Sequence, residues 1–156
     1  MIIELWAIGK TSFSFVDEGE QVFVKRLKNY TKFDVNIIQP PKKKSKLSVE
    51  IKRNEAILIL NKLETTDFLV LLDENGREHS SRTFSGWIEK LQVTGKRKLI
   101  FLIGGAFGFD ASVYERSNAK ISLSKMTYSH QLIRLIFLEQ LFRAFTIIRN
   151  EPYHND

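Results

Sequence analysis

The chain has 156 residues, 43% of them hydrophobic, and a formal net charge of +6. That is long enough to bury the core of one domain and too apolar for a disordered segment. With no cysteine and only His79, His130 and His154 as imidazoles, thiol catalysis, disulfides and thiolate metal sites are excluded and no metal site is expected; the excess of lysine and arginine points to a polyanion, most simply nucleic acid.

In chain order, IIELWAI (Ile2 to Ile8) is a short apolar run with strand character. It follows no basic stretch and no small-residue cleavage site, so it reads as mature structure and not as a leader. From Phe15 to Tyr30, the residues Val16, Phe23, Val24 and Leu27 fall near one helical stripe. FDVNII (Phe33 to Ile38) alternates like a half-buried strand, and QPPKKKSK is a loop, because its prolines block helix and ladder alike. Ser48 is expected to cap a helix reaching about Leu63. FLVLLD (Phe68 to Asp73) is a continuous apolar strand expected to end at the turn signal ENG. Ser80 or Ser81 caps a helix carrying Phe84, Trp87, Ile88 and Leu91 that stops near Gly95. KLIFLIGG is a second buried strand, DASVYER a short helix, AKISLS a short strand, and Gln131 to Ile148 a long final helix. No apolar run approaches the ~20 residues of a membrane span. No repeat or linker divides the chain, which reads as a single soluble, cytoplasmic domain over 1–156.

Strands alternating with helices predict an α/β fold with a mainly parallel sheet flanked by helices, the two fully apolar strands at its centre. Ligands of such sheets bind at the carboxyl ends of strands. Three of those ends are unusual: LLDENG, IGGAFGF and SLSKMT. Gly104, Gly105 and Gly108 make GGxxG, which is neither a dinucleotide fingerprint nor a P-loop. It is either a tight turn or a place where a ligand lies on bare backbone. The SLSKMT segment is either a hydroxyl-rich lead-in to a helix capped by Ser129, or a cradle whose apolar Leu123 and Met126 and free backbone groups suit a flat heteroaromatic ring. The final helix is apolar nearly all round, which implies burial on more than one side, by the core and by a second subunit. Glu139 and Arg143 stand four residues apart and are expected to pair. The tail beyond Pro152 carries Tyr153 and His154, and either frays or folds over a site.

Four segments then fall in a recognisable order: LLDENG, FLIGGAFGF, SLSKMTYSHQLIRLIFLEQLFRAF and PYHND. On these, over essentially its whole length, the chain resembles the large-subunit rRNA pseudouridine N3-methyltransferase family (RlmH) of the SPOUT superfamily of α/β-knot methyltransferases. Phe142 stands where the family often has Tyr, so no hydroxyl can be invoked there. The resemblance implies a deep trefoil knot near the C-terminus, a homodimer, S-adenosylmethionine as methyl donor, and as substrate a pseudouridine of large-subunit (23S) rRNA on the assembled ribosome. It implies donor-binding positions at Leu72, Gly104, Gly105, Leu123, Ser124, Lys125, Met126, Thr127 and Tyr128, and substrate-handling positions at Arg143, Tyr153 and His154. An arginine there would stabilise charge developing on the uracil ring, an imidazole would relay a proton, and a tyrosine would stack on a base. The basic residues Lys25, Arg26, Lys28, Lys42, Lys43, Lys44 and Lys46 are the expected contacts to RNA phosphates. Two other functions remain open on the sequence: a SPOUT methyltransferase with another RNA target such as tRNA, and a non-enzymatic RNA- or ribosome-binding protein on the same fold.

Overall fold

The computed structural model describes residues 1–42 and 45–155; Lys43 and Lys44 of the lysine loop lie outside the described residues. The elements in chain order are β1 (Ile2–Ile8), α1 (Ser14–Leu27), β2 (Lys32–Ile38), α2 (Ser48–Leu60), β3 (Phe68–Glu78), α3 (Ser81–Gln92), β4 (Lys98–Ile103), α4 (Ala111–Arg116), β5 (Ala119–Ser122) and α5 (Leu132–Ile148). The five strands form one parallel sheet in the order β2-β1-β4-β3-β5. The two apolar runs are thus interior strands, with β4 in the middle.

Strand alternation sorts the core into two layers. On β4, Leu99, Phe101 and Ile103 enter a cluster with Ile88 of α3 and Phe137 and Leu141 of α5. Ile100 and Leu102 enter a second cluster with Ala56 and Ile59 of α2 and Val113 of α4. Helices therefore cover both faces, as an all-parallel sheet requires. The strand ends are what remains open.

Of three local expectations, two change. Ser48 is the first helical residue of α2 and makes no cap; the Ser45 hydroxyl instead accepts from the Leu47 amide at 3.1 Å. Ser80 does cap α3, accepting from the Thr83 amide at 3.1 Å. The strand beginning at Phe68 does not end at the ENG turn. It breaks register after Leu72 and resumes at Arg77, so that both residues face Ile121 of β5. Residues 73–76 are extruded as a bulge beside the sheet's carboxyl edge. Gly76 makes this possible, because a Cβ there would lie 2.5–2.7 Å from the Ile121 backbone.

The tail is also ordered against the body. The Tyr153 ring packs edge-on to Phe142 with centroids 4.8 Å apart. The Glu151 carboxylate accepts from the Tyr30 hydroxyl.

The bulge yields a test. Gly76→Ala should push the returning part of β3 away from β5 and cost about 1–3 kcal/mol, the range for inserting a methyl where no space exists. Urea denaturation measures the loss; an unchanged midpoint would show that the two backbones separate freely.

Candidate active site

The three unusual strand ends meet in one cavity of about 460 Å³. Its walls come from the β3 bulge (Leu72 to Asn75), the β4 turn (Ile103 to Phe109) and the loop after β5 (Ser122 to Thr127, without Lys125), completed by Tyr114, Tyr128, His130 and Ile133. The volume is that of a small-molecule site. Of the expected donor-binding positions, Leu72, Gly104, Gly105, Leu123, Ser124, Met126, Thr127 and Tyr128 line it. Lys125 does not; its ammonium turns outward to Glu78 at 3.9 Å.

The β4 turn is tight: the Gly108 amide donates to the Gly105 carbonyl at 3.2 Å and the two glycines form an isolated bridge. Gly105 has no room for a side chain, since a Cβ would meet the Glu55 carboxylate at 2.7 Å. GGAFG is thus a tight turn, as one of its two readings has it, and its backbone lines the cavity. The loop after β5 holds its shape through its own hydroxyls. Ser122 donates to the Ser124 carbonyl at 2.9 Å, and the Ser124 hydroxyl accepts from the Met126 amide at 2.9 Å. Ser129 accepts from the Leu132 amide at 3.1 Å and so caps the first turn of α5 from outside the helix.

Two carboxylates, Asp73 and Glu74, line the cavity, and among the described residues no lysine or arginine does. Asp73 is fixed by the Asn75 amide at 2.8 Å and by the Tyr114 hydroxyl. Burial, and then the bond it donates to Asp73, push the Tyr114 phenol up to about 12, so it stays a donor at any working pH.

A second constellation lies further along α5. Arg143 Nη2 meets Glu139 Oε1 at 2.5 Å, and Arg143 Nη1 lies 3.3 Å from His154 Nδ1. The Tyr153 hydroxyl donates to Glu139 Oε1 at 3.1 Å, and the Arg143 guanidinium lies 4.9 Å from the Tyr153 ring centre. Burial and the Glu139 charge raise the Tyr153 phenol. The three expected substrate-handling residues are thus one cluster, organised by Glu139, whose pairing with Arg143 the four-residue spacing foretold. They are not in the cavity: Arg143 lies ten residues beyond Ile133 on α5, about 15 Å along the axis.

Sequence reasoning missed two residues. Tyr114 carried no signal beyond its type. Glu55, in the apolar stretch of α2, is only 8% exposed and packs against Gly105.

A parallel α/β protein whose strand ends enclose a cavity walled by glycine backbone and a self-bonded loop has the form of a small-molecule-binding protein. The family model described as "Predicted SPOUT methyltransferase" matches residues 1–154, and the chain belongs to that family. A Christiangramia forsetii protein named ribosomal RNA large subunit methyltransferase H is 49% identical over 99% of both chains. A protein of the same name from Cytophaga hutchinsonii is 46% identical over 99% of this chain and 100% of its own. Among solved structures, a probable methylase family protein of Haemophilus influenzae shares the fold, with a TM-score of 0.55 over 99% of this chain and 70% of that one, at 13% identity.

Glu55 generates a prediction here. Burial raises its carboxyl above the ordinary range, so the folded state holds its proton more tightly than the unfolded state does. The penalty is absent below the unfolded value and develops as pH rises through the folded one. Glu55→Gln should therefore match the parent protein in stability below about pH 4 and exceed it by roughly 1 kcal/mol at pH 7. Thermal unfolding at the two pH values measures this; an equal difference at both would show that the carboxyl is not penalised by burial.

Proposed function

We propose that the protein transfers a methyl group from S-adenosylmethionine to N3 of a pseudouridine in large-subunit ribosomal RNA on the assembled ribosome. The observation that carries the reading is the cavity itself. It gathers eight of the nine expected donor-binding positions from three separate strand ends. Its donor set fits the ligand: apolar Leu72, Leu123 and Met126 and loop backbone for a flat ring, bare glycine for a bent chain, and carboxylates for a cation. Full-length relatives named for large-subunit rRNA methylation support the RNA target, and the net charge of +6 suits a phosphate-rich surface. The knotted path of the C-terminal chain, carried by the resemblance, belongs to this same reading.

The donor supplies a methyl group already activated on a sulfonium, so the protein's tasks are binding, orientation and proton handling. In this reading Arg143 neutralises charge developing on the uracil ring as N3 loses its proton, and His154 takes that proton. Glu139 and Tyr153 hold Arg143 in place. Tyr153 is already engaged by Phe142 and Arg143, so its part is to position the arginine.

The separation of about 15 Å between the cavity and Arg143 is why a homodimer belongs to the reading. The α5 residues Leu132, Ile136, Glu139, Arg143 and Ile147 form a half-buried outer stripe. A second copy docked on that stripe would bring its Arg143 cluster toward this chain's cavity. Sedimentation at micromolar concentration should give about twice the 18.2 kDa chain mass. Ile136→Glu should give monomers that bind donor and do not methylate; a fully active monomer overturns the dimer.

The reading as a whole is tested on ribosomes from a strain lacking the gene. Incubation with S-adenosylmethionine should add one methyl, mapped by mass spectrometry to N3 of a pseudouridine in the large-subunit RNA. Gly105→Arg, whose Cβ would be directed at the Glu55 carboxylate, should displace the β4 turn and abolish donor binding in calorimetry and transfer together; a circular dichroism spectrum that keeps its helical signal shows that the loss is local to the turn. A methyl found on tRNA instead would move the target, and donor binding without any transfer would make the protein a binder.

A further inference from the structure

The cavity reading leaves one buried charge without a task. Glu55 is 8% exposed, in the middle of α2. Its carboxylate has no hydrogen-bond or ion-pair partner among the described residues. A leucine or methionine would pack there at lower cost, because burial takes away part of the carboxylate's hydration and no donor replaces it. What the carboxylate touches is Gly105: Oε1 and Oε2 lie 2.7 and 3.0 Å from the place of that residue's missing Cβ. Gly105 is itself cavity wall. Gly105 thus meets the Glu55 carboxylate and the cavity alike.

The charges around that space have one sign. Asp73 and Glu74 line it, and among the described residues no lysine or arginine does, in a chain whose net charge is +6. An acidic cavity in a basic protein is not what chance placement gives. Its field acts on bound cations, and most strongly through the low-dielectric route that Glu55 occupies.

We propose that Glu55 is a specificity-determining residue of the donor site, whose carboxylate acts across the Gly105 backbone, together with Asp73 and Glu74, to favour the cationic methyl donor over its neutral-sulfur product. The inference rests on the donor reading of the cavity and adds a residue and a task to it. Transfer breaks the bond from sulfur to the methyl carbon and leaves its electron pair on sulfur. The carbon bonds to N3, whose proton departs. Product and donor therefore differ by one methyl group and one positive charge. Apolar walls and backbone hydrogen bonds read the methyl group's bulk and not its charge. A fixed negative charge can, and product that is held less tightly than donor leaves sooner.

Calorimetry with S-adenosylmethionine and S-adenosylhomocysteine tests this on the full chain. In Glu55→Gln the affinity for S-adenosylhomocysteine should stay within about twofold, the scale of one partly screened charge acting on a neutral ligand, while donor affinity falls on the order of tenfold. The unchanged product affinity also reports that the site is folded. Glu55→Asp, which keeps the charge, should retain most of the preference. Equal weakening of both ligands would mean that Glu55 only shapes the Gly105 turn, and no weakening of either would mean that its charge does not reach the cavity; both outcomes overturn the proposal. If the parent protein bound neither ligand, the donor reading itself would fall, which is a separate and distinguishable result.

Discussion

The buried guanidinium of Arg134 is the joint on which the site depends. It is 1% exposed and donates to the carbonyls of Ile8 at 2.7 Å, Gly9 at 2.8 Å and His130 at 3.1 Å, and to the Thr11 hydroxyl at 3.2 Å. The first two are the end of β1, and His130 is the end of the loop that walls the cavity. Thr11 passes the contact on to Glu20 at 2.9 Å. The same junction is tightened from outside by Gln131, which accepts from the Ser12 and Phe13 amides at 2.8 and 3.3 Å. A buried arginine without a bonded carboxylate is costly. Here its planar fork satisfies three carbonyls that would otherwise be stranded where a strand ends and a helix begins. Without that joint, the loop from Leu123 to His130 would lose its buried anchor to the end of β1 and keep its own hydroxyl bonds and the exposed contacts of Lys125 and Thr127 to Glu78 and Glu74.

Most of the architecture was legible because burial on two faces leaves an unmistakable mark. FLVLLD and KLIFLIGG have no polar face to lose, so they had to be interior strands of a covered sheet, and β4 and β3 are. The errors arose where a local signal competed with a long-range contact. Asn75-Gly76 reads as a turn. The structure uses Gly76 for the approach of another strand, which no local rule can see. The expectation for α5 was of another kind, core plus interface: its core face packs on the sheet between α1 and α3, and a half-buried stripe remains on the other side.

The site was legible to a different degree at each position. The three strand ends were chosen on composition alone, and parallel strands did the rest by putting their carboxyl ends on one edge. The Arg143, Tyr153 and His154 cluster came through resemblance; no spacing rule would have folded the tail back onto α5. Glu55 was hidden because a glutamate in RNEAILIL looks like the solvent face of an ordinary helix. Its meaning appears only when Gly105 is seen against it, and then the glycine is explained from both sides: a ligand before it and a carboxylate behind it.

This arrangement also resolves an electrostatic conflict inherent in the proposed activity. A protein that grips ribosomal RNA must attract phosphate, and its surface charge does so without regard to where the phosphate lands. A cavity open to that surface and lined with basic residues would fill with phosphate groups of RNA or of nucleotides. Lining it with Asp73 and Glu74, and backing it with Glu55, gives the pocket the sign opposite to the exterior. On the proposed function the two ligands would thereby be separated before shape is consulted: the polyanion would stay outside and the cation would be drawn in. The cost of burying Glu55 in α2 would then be the counterpart of this sorting.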